Sequence, residues 1–201
     1  NACRAEVRGD VRADAMTCAQ FSTDASSYQI MPLAVVSPRD RDDVAAAMSV
    51  CARFGLPVLP RGGGSSLSGQ SVNAAVVIDM PKYMHNLVSV DAERRLAHVQ
   101  PGITLQALND RLAPYGLKFG PDPASSVVCT LGGMVGNNST GTHSILYHMT
   151  ADHLQSVDVV LSDGTPTHFA PISRREIGAQ VMRGGLLGSI WQRIPRSEEH
   201  T

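Results

Sequence analysis

Residues 60–69 read Pro60-Arg61-Gly62-Gly63-Gly64-Ser65-Ser66-Leu67-Ser68-Gly69, between the apolar runs 56–59 and 74–80. Three consecutive glycines let backbone N–H groups approach a ligand closely, because no Cβ atoms stand in the way. Successive N–H groups in such a turn form a concave nest that suits an anion, most often a phosphate. Three serine hydroxyls add donors, and the stretch contains no acidic residue. On these residues alone, a flexible Gly/Ser turn between two strands remains the alternative.

The two common nucleotide-binding motifs do not fit this stretch. A Walker loop has Gly, four residues and then Gly-Lys-Ser/Thr. Gly64 and Gly69 have that spacing, but Gln70 replaces the lysine. A Rossmann loop has a third glycine, where Leu67 stands here, and it leads into a helix, whereas the run 74–79 predicts a strand. The sequence therefore argues against a P-loop ATPase and a Rossmann dinucleotide site and keeps the anion site.

A second run of small residues follows Thr130 and reads Leu131-Gly132-Gly133-Met134-Val135-Gly136-Asn137-Asn138-Ser139-Thr140-Gly141. Thr130 is a good N-cap, so the run predicts a helix whose free N–H groups point at an anion. Its glycines allow a large flat ligand to lie against the backbone. The polar residues at 137–140 suit a polar ring edge or a ribityl chain. A closely packed glycine helix is the alternative, but two such stretches favour a long, phosphate-bearing cofactor.

Composition limits the other function classes. The chain has 201 residues, a formal net charge of −1 and 4% aromatic residues, which argues against nucleic acid as a partner. No run approaches the roughly 18 apolar residues of a membrane span. The four cysteines are scattered without a CxxC pair, which predicts reduced thiols in a cytosolic protein. His143, His148 and His153 are five residues apart and lack an acidic ligand pattern, so we predict no metal site.

The first 81 residues predict a strand–helix–strand unit followed by a third strand. The runs 33–37, 57–60 and 74–79 read as strands, and the first two are predicted to be parallel because a helix joins them. Ser37 is the predicted N-cap of that helix, and Pro38 is its predicted first residue.

The remaining segments complete an α+β pattern. The spacing of apolar residues between 7 and 15 is typical of a short helix. Beyond residue 81 the pattern is mostly antiparallel, with hairpins predicted over 87–99 and 156–169 and helices over 104–112 and 173–192. The sequence therefore predicts an α+β fold of two subdomains that meet near residue 81.

Three segments in this order resemble one family. Residues 60–69, 121–125 (Pro-Asp-Pro-Ala-Ser) and 129–138 resemble the FAD-binding domain of the vanillyl-alcohol oxidase/p-cresol methylhydroxylase (PCMH-type) superfamily. Within it, the chain is most similar to the FAD-linked D-2-hydroxyacid dehydrogenases, a group that includes the D-lactate, D-2-hydroxyglutarate and glycolate-oxidising types. The segment 136–144 resembles the large members that carry a C-terminal iron–sulfur module. The resemblance covers about residues 7–172.

The resemblance implies a PCMH-type FAD-binding domain of two α/β subdomains, truncated before the cap domain. The implied divisions are a lead-in at 1–30, FAD-binding subdomain 1 at 31–81, an incomplete subdomain 2 at 82–172 and the start of a following region at 173–195. Residues 196–201, Arg-Ser-Glu-Glu-His-Thr, depart from the family's pattern. They match what a common sequencing adapter would encode in one frame, so we expect a spurious tail on a fragment.

The resemblance also assigns residues to FAD. Those expected around the pyrophosphate are Arg61, Gly62, Gly63, Gly64, Ser65 and Ser66, with Gly69 closing the turn. Those expected along the cofactor are Pro121, Asp122 and Ser125. Those expected at the phosphates, ribityl chain and flavin ring are Thr130, Gly132, Gly133, Gly136, Asn137, Asn138, Ser139 and Gly141. Some relatives attach FAD covalently through a histidine where Ser65 stands, so the resemblance implies non-covalent FAD.

The reaction implied by the resemblance is the oxidation of a D-2-hydroxy acid by hydride transfer to flavin N5. The implied electron acceptor is a quinone, a cytochrome or an iron–sulfur module, with an iron–sulfur cluster in a C-terminal region that this chain lacks. The expected location is cytoplasmic, or peripheral at the inner membrane. Catalytic and substrate-binding residues are expected downstream and stay unassigned. A sugar-lactone or aromatic-alcohol oxidase of the same fold, or a flavin-binding module without its own reaction, are the alternatives.

Three single residues carry separate expectations. Cys129 lies beside the second small-residue run and is predicted to be a buried structural thiol. For His143 the alternatives are a place near the flavin and a polar loop residue, and the second is predicted. His148 follows Tyr147 where members of the resembled family usually have glycine, which predicts local strain if the turn needs a positive φ.

Overall fold

A four-stranded mixed sheet occupies the first part of the protein, whose computed structural model describes residues 2–198, except the side chains of Arg174 and residues 195–198. Its strands are β1 (Asp10–Arg12), β2 (Ala34–Ser37), β3 (Val58–Arg61) and β4 (Val76–Asp79). The strand order is β1-β2-β4-β3, with β1 antiparallel to β2 and the other pairs parallel. The three predicted strands and the parallel direction of β2 and β3 are confirmed, and β4 lies between them. The predicted tail, 196–201, extends outside the described residues.

The helix predicted between residues 7 and 15 is wrong. Val11 lies in β1 and pairs with Val36 of β2. Two short helices flank that strand, α1 (Ala2–Glu6) and α2 (Ala15–Gln20). Pairing with β2 gives this segment the hydrogen bonds of a strand. The spacing of apolar residues every four positions does not reveal that pairing, so a tertiary contact overrides the local helical pattern.

Helix α3 (Arg41–Arg53) joins β2 to β3 but begins three residues later than predicted. Ser37 stays in β2, where its hydroxyl donates to the buried carboxyl of Asp79 at 2.9 Å. The N-cap is Asp40, whose side chain accepts from the backbone N–H of Asp43 at 3.1 Å. The prediction that Ser37 and Pro38 start the helix is therefore wrong, because a cross-strand partner engages the serine.

Two apolar clusters form the core. In the first, α3 packs on the sheet through Val7, Val36, Ala47, Cys51, Val76 and Ile78. The second consists of Ile103, Leu105, Leu108, Leu112, Cys129, Leu131 and Met134. Cys129 is 7% exposed, and burial raises the pKa of its thiol. The prediction of a buried structural thiol is confirmed.

Two hairpins and several helices follow the sheet. They are β5 (Leu87–Asp91), β6 (Leu96–Val99), α4 (Leu105–Leu112), α5 (Leu131–Asn137), α6 (Ser144–Tyr147), β7 (Val157–Val160), β8 (Pro166–Phe169), α7 (Arg174–Val181) and α8 (Gly185–Glu198). Both predicted hairpins are confirmed. The single helix predicted over 173–192 is instead two, because the chain takes positive φ at Gly184 and Gly185. No helix within residues 2–198 has the length and apolar character needed to cross a bilayer.

Candidate functional site

The glycine-rich loop, residues 62–70, follows β3 and lies against the residues that start α5. A Cβ built on Gly62 would lie 2.2 Å from Thr130 Oγ1. A Cβ on Gly63 would lie 2.0 Å from the carbonyl oxygen of Val128. Both separations are far shorter than van der Waals contact, so glycine is required for this approach. The two small-residue stretches, which are about 60 positions apart in the sequence, therefore lie against one another.

The loop carries unpaired backbone donors. Between Gly62 and Leu67, none of the backbone N–H groups donates a hydrogen bond to any atom of residues 2–198. Gly64 has a φ of +66°, which turns the chain in a way that glycine adopts without strain. Consecutive unpaired N–H groups in a glycine turn are the donor set that phosphate groups bind.

The start of α5 differs from the sequence prediction. Leu131 N donates to the carbonyl oxygen of Ile103 at 2.9 Å, and Gly132 N donates to that of Pro101 at 2.8 Å. The hydroxyl of the N-cap threonine accepts from Gly133 N at 3.4 Å. The prediction of free N–H groups at this helix start is therefore wrong, because a remote segment covers the first turn. Gly132 allows that contact, since its Cβ would lie 2.7 Å from the Pro101 Cβ.

One side of α5 is bare. Gly133, Gly136 and Asn137 are exposed, whereas Leu131 and Met134 face the core. A Cβ on Gly136 would meet no atom within 4 Å. The helix thus presents a surface of backbone on which a planar group can lie closely, as predicted for a flat ligand.

The end of α5 is fixed by a polar network. Asn138 ends the helix with a φ of 48°, and its Oδ1 accepts from Ala151 N at 2.9 Å. The carbonyl oxygen of Ser139 accepts from both the N–H and the hydroxyl of Thr150, at 3.0 and 2.7 Å. These contacts hold the polar end of the small-residue run in place.

A third predicted segment, containing Asp122 and Ser125, leads into the same region. Asp122 contacts the His143 ring, which holds the pKa of this carboxyl below its usual range. A Cβ on Gly141 would lie 2.2 Å from the Asp122 carbonyl oxygen. The Ser125 carbonyl accepts from Val128 N at 2.8 Å and so turns the chain toward α5. The segment 121–125 is therefore connected to the start of α5 by the turn at residues 125–130, and to the chain after α5 by the Asp122–His143 contact. Because the glycine-rich loop also lies against the start of α5, the three predicted segments are joined.

The predicted loop residues fall into two groups. Arg61 directs its guanidinium at backbone carbonyl oxygens, and Gly69, with a φ of +77°, packs on the ring of Tyr28. Ser66 Oγ contacts the Gln70 side chain. The hydroxyl of Ser65 has no hydrogen-bond partner within the described part of the chain. Ser65 and the loop N–H groups are thus available to a ligand, whereas the Arg61 side chain organises the loop. Pro121, also predicted from the resemblance, is buried.

His143 and His153 make separate contacts. His143 contacts Asp122, and His153 Nε2 lies 2.6 Å from the Tyr147 carbonyl oxygen. Among residues 2–198, no three His, Cys, Asp or Glu side chains form a group that could hold a metal ion.

His148 occupies a backbone conformation that favours glycine. Its φ and ψ are 56° and −148°, so the predicted positive φ is present. We expect His148→Gly to stabilise the protein by about 1 kcal/mol, because strain of this kind costs about 1–3 kcal/mol and glycine's entropy offsets part of the gain. Thermal unfolding measures the change.

The matched control is Asn138→Gly. Asn138 is also left-handed, but at a ψ of 52° where asparagine is tolerated. This variant should gain nothing and should lose the hydrogen bond to Ala151. A His148→Gly protein that unfolds at a lower temperature than the wild type would show that the turn is not strained.

Comparison with protein families decides the identity of the domain. A model described as "FAD binding domain" matches residues 32–170. The chain belongs to this FAD-binding domain family. The match includes the glycine-rich loop, the segment 121–125 and α5, which are the three segments that the structure connects.

Curated relatives of this FAD-binding domain are much longer than the chain. D-2-hydroxyglutarate dehydrogenase of Pseudomonas putida is 34% identical over 195 residues, which cover 96% of the chain and 19% of that protein. The Escherichia coli (strain K12) protein of the same name is 37% identical over 186 residues, covering 89% and 18%. Glycolate oxidase subunit GlcD of Escherichia coli (strain K12) is 35% identical over 141 residues, covering 69% and 28%. The chain spans about a fifth of the length of the D-2-hydroxyglutarate dehydrogenases.

Solved structures share the fold of the FAD-binding domain. 6-Hydroxy-D-nicotine oxidase from Arthrobacter nicotinovorans superposes with a TM-score of 0.74 at 19% identity, covering 85% of this chain and 38% of that one. Xylooligosaccharide oxidase from Myceliophthora thermophila gives 0.74 at 22% identity, covering 93% and 40%. At these identities the likeness concerns the fold alone, and it confirms the predicted PCMH-type FAD-binding fold.

Proposed function

We propose that the chain is the FAD-binding portion of a flavin-dependent dehydrogenase that oxidises a D-2-hydroxy acid. One observation carries the proposal: the N–H groups of residues 62–67 are unpaired within the described chain and sit beside the start of α5. A diphosphate needs such donors, and residues 60–71 contain no carboxylate that would repel it. The bare side of α5 fits the planar part of the same cofactor.

The proposed contacts follow from this arrangement. The loop N–H groups and Ser65 would hold the pyrophosphate, and the exposed side at Gly133, Gly136 and Asn137 would support the ribityl chain and ring. A bound FAD would supply, at flavin N5, the acceptor for the hydride that leaves the substrate carbon. The chain's own residues would bind and orient the cofactor and exclude water from one side of it. FAD would be held non-covalently, since Ser65 has no nucleophilic nitrogen.

The proposed substrate is D-2-hydroxyglutarate. Three proteins of that name match 89–96% of the chain at 34–37% identity, and a fourth matches 78%. The GlcD subunits of glycolate oxidase match 69–72%, and a D-lactate dehydrogenase matches 88% at only 27% identity. The base and the groups that bind the substrate carboxylates are proposed to lie in the longer protein. A quinone, a cytochrome or an iron–sulfur cluster there would accept the electrons. The subdomain limits 31–81 and 82–172, and a cytoplasmic or inner-membrane-associated location, belong to the same proposal.

Anaerobic reduction of the full-length protein tests the function. D-2-hydroxyglutarate should bleach the visible flavin absorbance, and its L enantiomer should not. Glycolate and D-lactate serve as competing substrates in the same assay. Denaturation should release FAD into the filtrate if the cofactor is non-covalent. A flavin that no 2-hydroxy acid reduces would contradict the proposed reaction.

Gly136→Ala separates binding from folding. Alanine at this helical position should leave the protein as stable as wild type or stabilise it by up to about 1 kcal/mol, since the Cβ would point into open space. FAD affinity should nevertheless fall at least about tenfold, because the methyl group would hold the ring away from the backbone. Titration of the protein with FAD, followed by flavin fluorescence, measures the effect.

Gly178→Ala is the matched control, since Gly178 lies in α7 and its Cβ would also meet nothing within 4 Å. This change should give a similar helix gain and no loss of FAD affinity. Equal FAD affinity in Gly136→Ala and wild type would show that the ring does not lie on this side of α5.

A further inference from the structure

The glycine-rich loop is contacted from outside by residues 21–28, which precede β2 in the sequence. The Arg61 guanidinium donates to the carbonyl oxygens of Phe21 at 3.0 Å, Thr23 at 2.7 Å and Ser71 at 2.9 Å. Arg61, which precedes the loop, therefore connects the upstream segment to Ser71, which follows the loop. A single planar cation with several donors can make these contacts at once.

Asp24 makes the second connection. Its Oδ2 accepts from the hydroxyl of Ser71 at 2.8 Å and from Ser71 N at 3.3 Å. Its Oδ1 accepts from Ser26 N at 2.8 Å and from the Ser26 hydroxyl. Burial raises the pKa of Asp24, but these hydrogen bonds outweigh it and keep the pKa below its usual value. The carboxylate is thus charged at neutral pH and binds the exit of the loop.

Two further contacts fix the loop between these ends. Ala25 N donates to the Gly64 carbonyl oxygen at 3.0 Å. The Cα of Gly69 approaches Tyr28 so closely that a Cβ would lie 2.6 Å from its ring. Residues 21–28 therefore contact the loop at its start, at its first third and at its exit.

These contacts matter because the loop has little internal support. A stretch with four glycines loses much conformational entropy when it is ordered. Before a ligand binds, the unpaired N–H groups of the loop make no hydrogen bonds within the residues that the structure describes that would offset this entropy cost. A partner that orders the loop beforehand removes this entropy cost from binding and so raises affinity.

We propose that Asp24 is a positioning residue for FAD, which acts through Ser71 to hold the glycine-rich loop in its binding shape before the cofactor arrives. The proposal rests on the proposed function, because it assumes that the loop binds the FAD pyrophosphate. Asp24 itself would touch no part of the cofactor. Asp24→Asn should raise the Kd for FAD about tenfold, as expected if roughly a tenth of the chains retain the binding shape.

Two readouts on the full-length protein test this role. The first is the Kd for FAD. The second uses the chain without FAD and measures trypsin cleavage after Arg61 relative to cleavage after Arg94, which lies in the exposed β5–β6 turn. Asp24→Asn should raise this ratio several-fold, because a loosened loop admits the protease. The second readout does not depend on cofactor binding.

The matched control is Asp14→Asn, because Asp14 accepts from the N–H and hydroxyl of Thr17 but does not touch residues 61–71. It should change neither readout. Ser71→Ala should reproduce the effect of Asp24→Asn, and the double variant should add little to it. Wild-type FAD affinity in Asp24→Asn, or additive effects in the double variant, would overturn the proposal. A wild-type full-length protein that never binds FAD would instead overturn the proposed function, and the cleavage ratio would then decide alone whether Asp24 orders the loop.

Discussion

Gly63→Ala is expected to lower FAD affinity about 100-fold, since a displacement of about 1 Å in a binding element can have this effect. The added Cβ would lie 2.0 Å from the carbonyl oxygen of Val128 and 2.8 Å from its carbonyl carbon. These are backbone atoms, so no side-chain rotation can relieve the overlap. The glycine-rich loop must move away from the start of α5. Titration with FAD, on protein shown to be folded by circular dichroism, gives the change in Kd.

The control for this variant is Ser68→Ala in the same loop. Ser68 is exposed, and its side chain has no hydrogen-bond partner in the part of the chain that the structure describes. It should therefore bind FAD like wild type. If Gly63→Ala also binds like wild type, the loop and α5 do not form two halves of one cofactor site. A stability loss of about 1–3 kcal/mol in Gly63→Ala is expected in addition, as for other overpacked positions.

Asp43→Asn is expected to destabilise the protein by about 3 kcal/mol, as for a buried charged acceptor whose partners are left unpaired. Asp43 is 2% exposed. Its Oδ1 accepts from Arg8 N at 2.9 Å, and its Oδ2 accepts from Gly9 N and Arg39 N, each at 2.9 Å. In the variant, the side-chain amide would have to direct its NH2 group, which is itself a donor, at the N–H groups that bind one of these two oxygens. Chemical denaturation measures the loss.

The effect of Asp43 should depend on pH. Burial raises the pKa of this carboxyl, but N–H donors from Arg39 and Arg8 lower it, and the net pKa is below its usual value. Its contribution is therefore complete above the unfolded pKa of about 4 and is lost as the pH falls through the native pKa. The difference in stability between wild type and Asp43→Asn should shrink in acid.

Asp42→Asn is the control for this position, because Asp42 lies in the same first turn of α3 but its side chain is 77% exposed. It removes the same charge from the helix start and should cost no more than about 0.5 kcal/mol. Equal losses in the two variants would show that the helix dipole, and not the buried hydrogen bonds, is the source of the effect.

The parts of the fold that could be predicted from sequence have short-range causes. Strands β2 and β4 follow from β-branched runs, and the β7–β8 hairpin follows from its Asp163-Gly164 turn, where Gly164 has a φ of +90°. The start of α3 could not be predicted, because Ser37 and Asp40 are both good caps. Only the cross-strand carboxyl of Asp79 decides between them.

The candidate site shows the same difference between features with local causes and features decided by remote residues. The glycines of the loop and of α5 mark where backbone must come close to another group, but they do not say to which one. Gly62 meets Thr130, whereas Gly132 meets Pro101 and closes the helix start to an anion. The hydrogen bonds from Arg61 to residues 21–23 are equally remote in sequence. Such pairings depend on the assembled fold, so the local pattern identifies the segments and not their partners.

The contacts between the glycine-rich loop and the rest of the chain can form only in a fixed order during synthesis. Residues 21–28 leave the ribosome well before Arg61 and Ser71. The upstream groups that bind these two residues are therefore already available when the loop emerges. The contact with Val128 and Thr130 becomes available only about 60 residues later. A nascent chain would thus carry a half-enclosed loop through that interval. Cofactor capture could begin only after α5 had folded onto it.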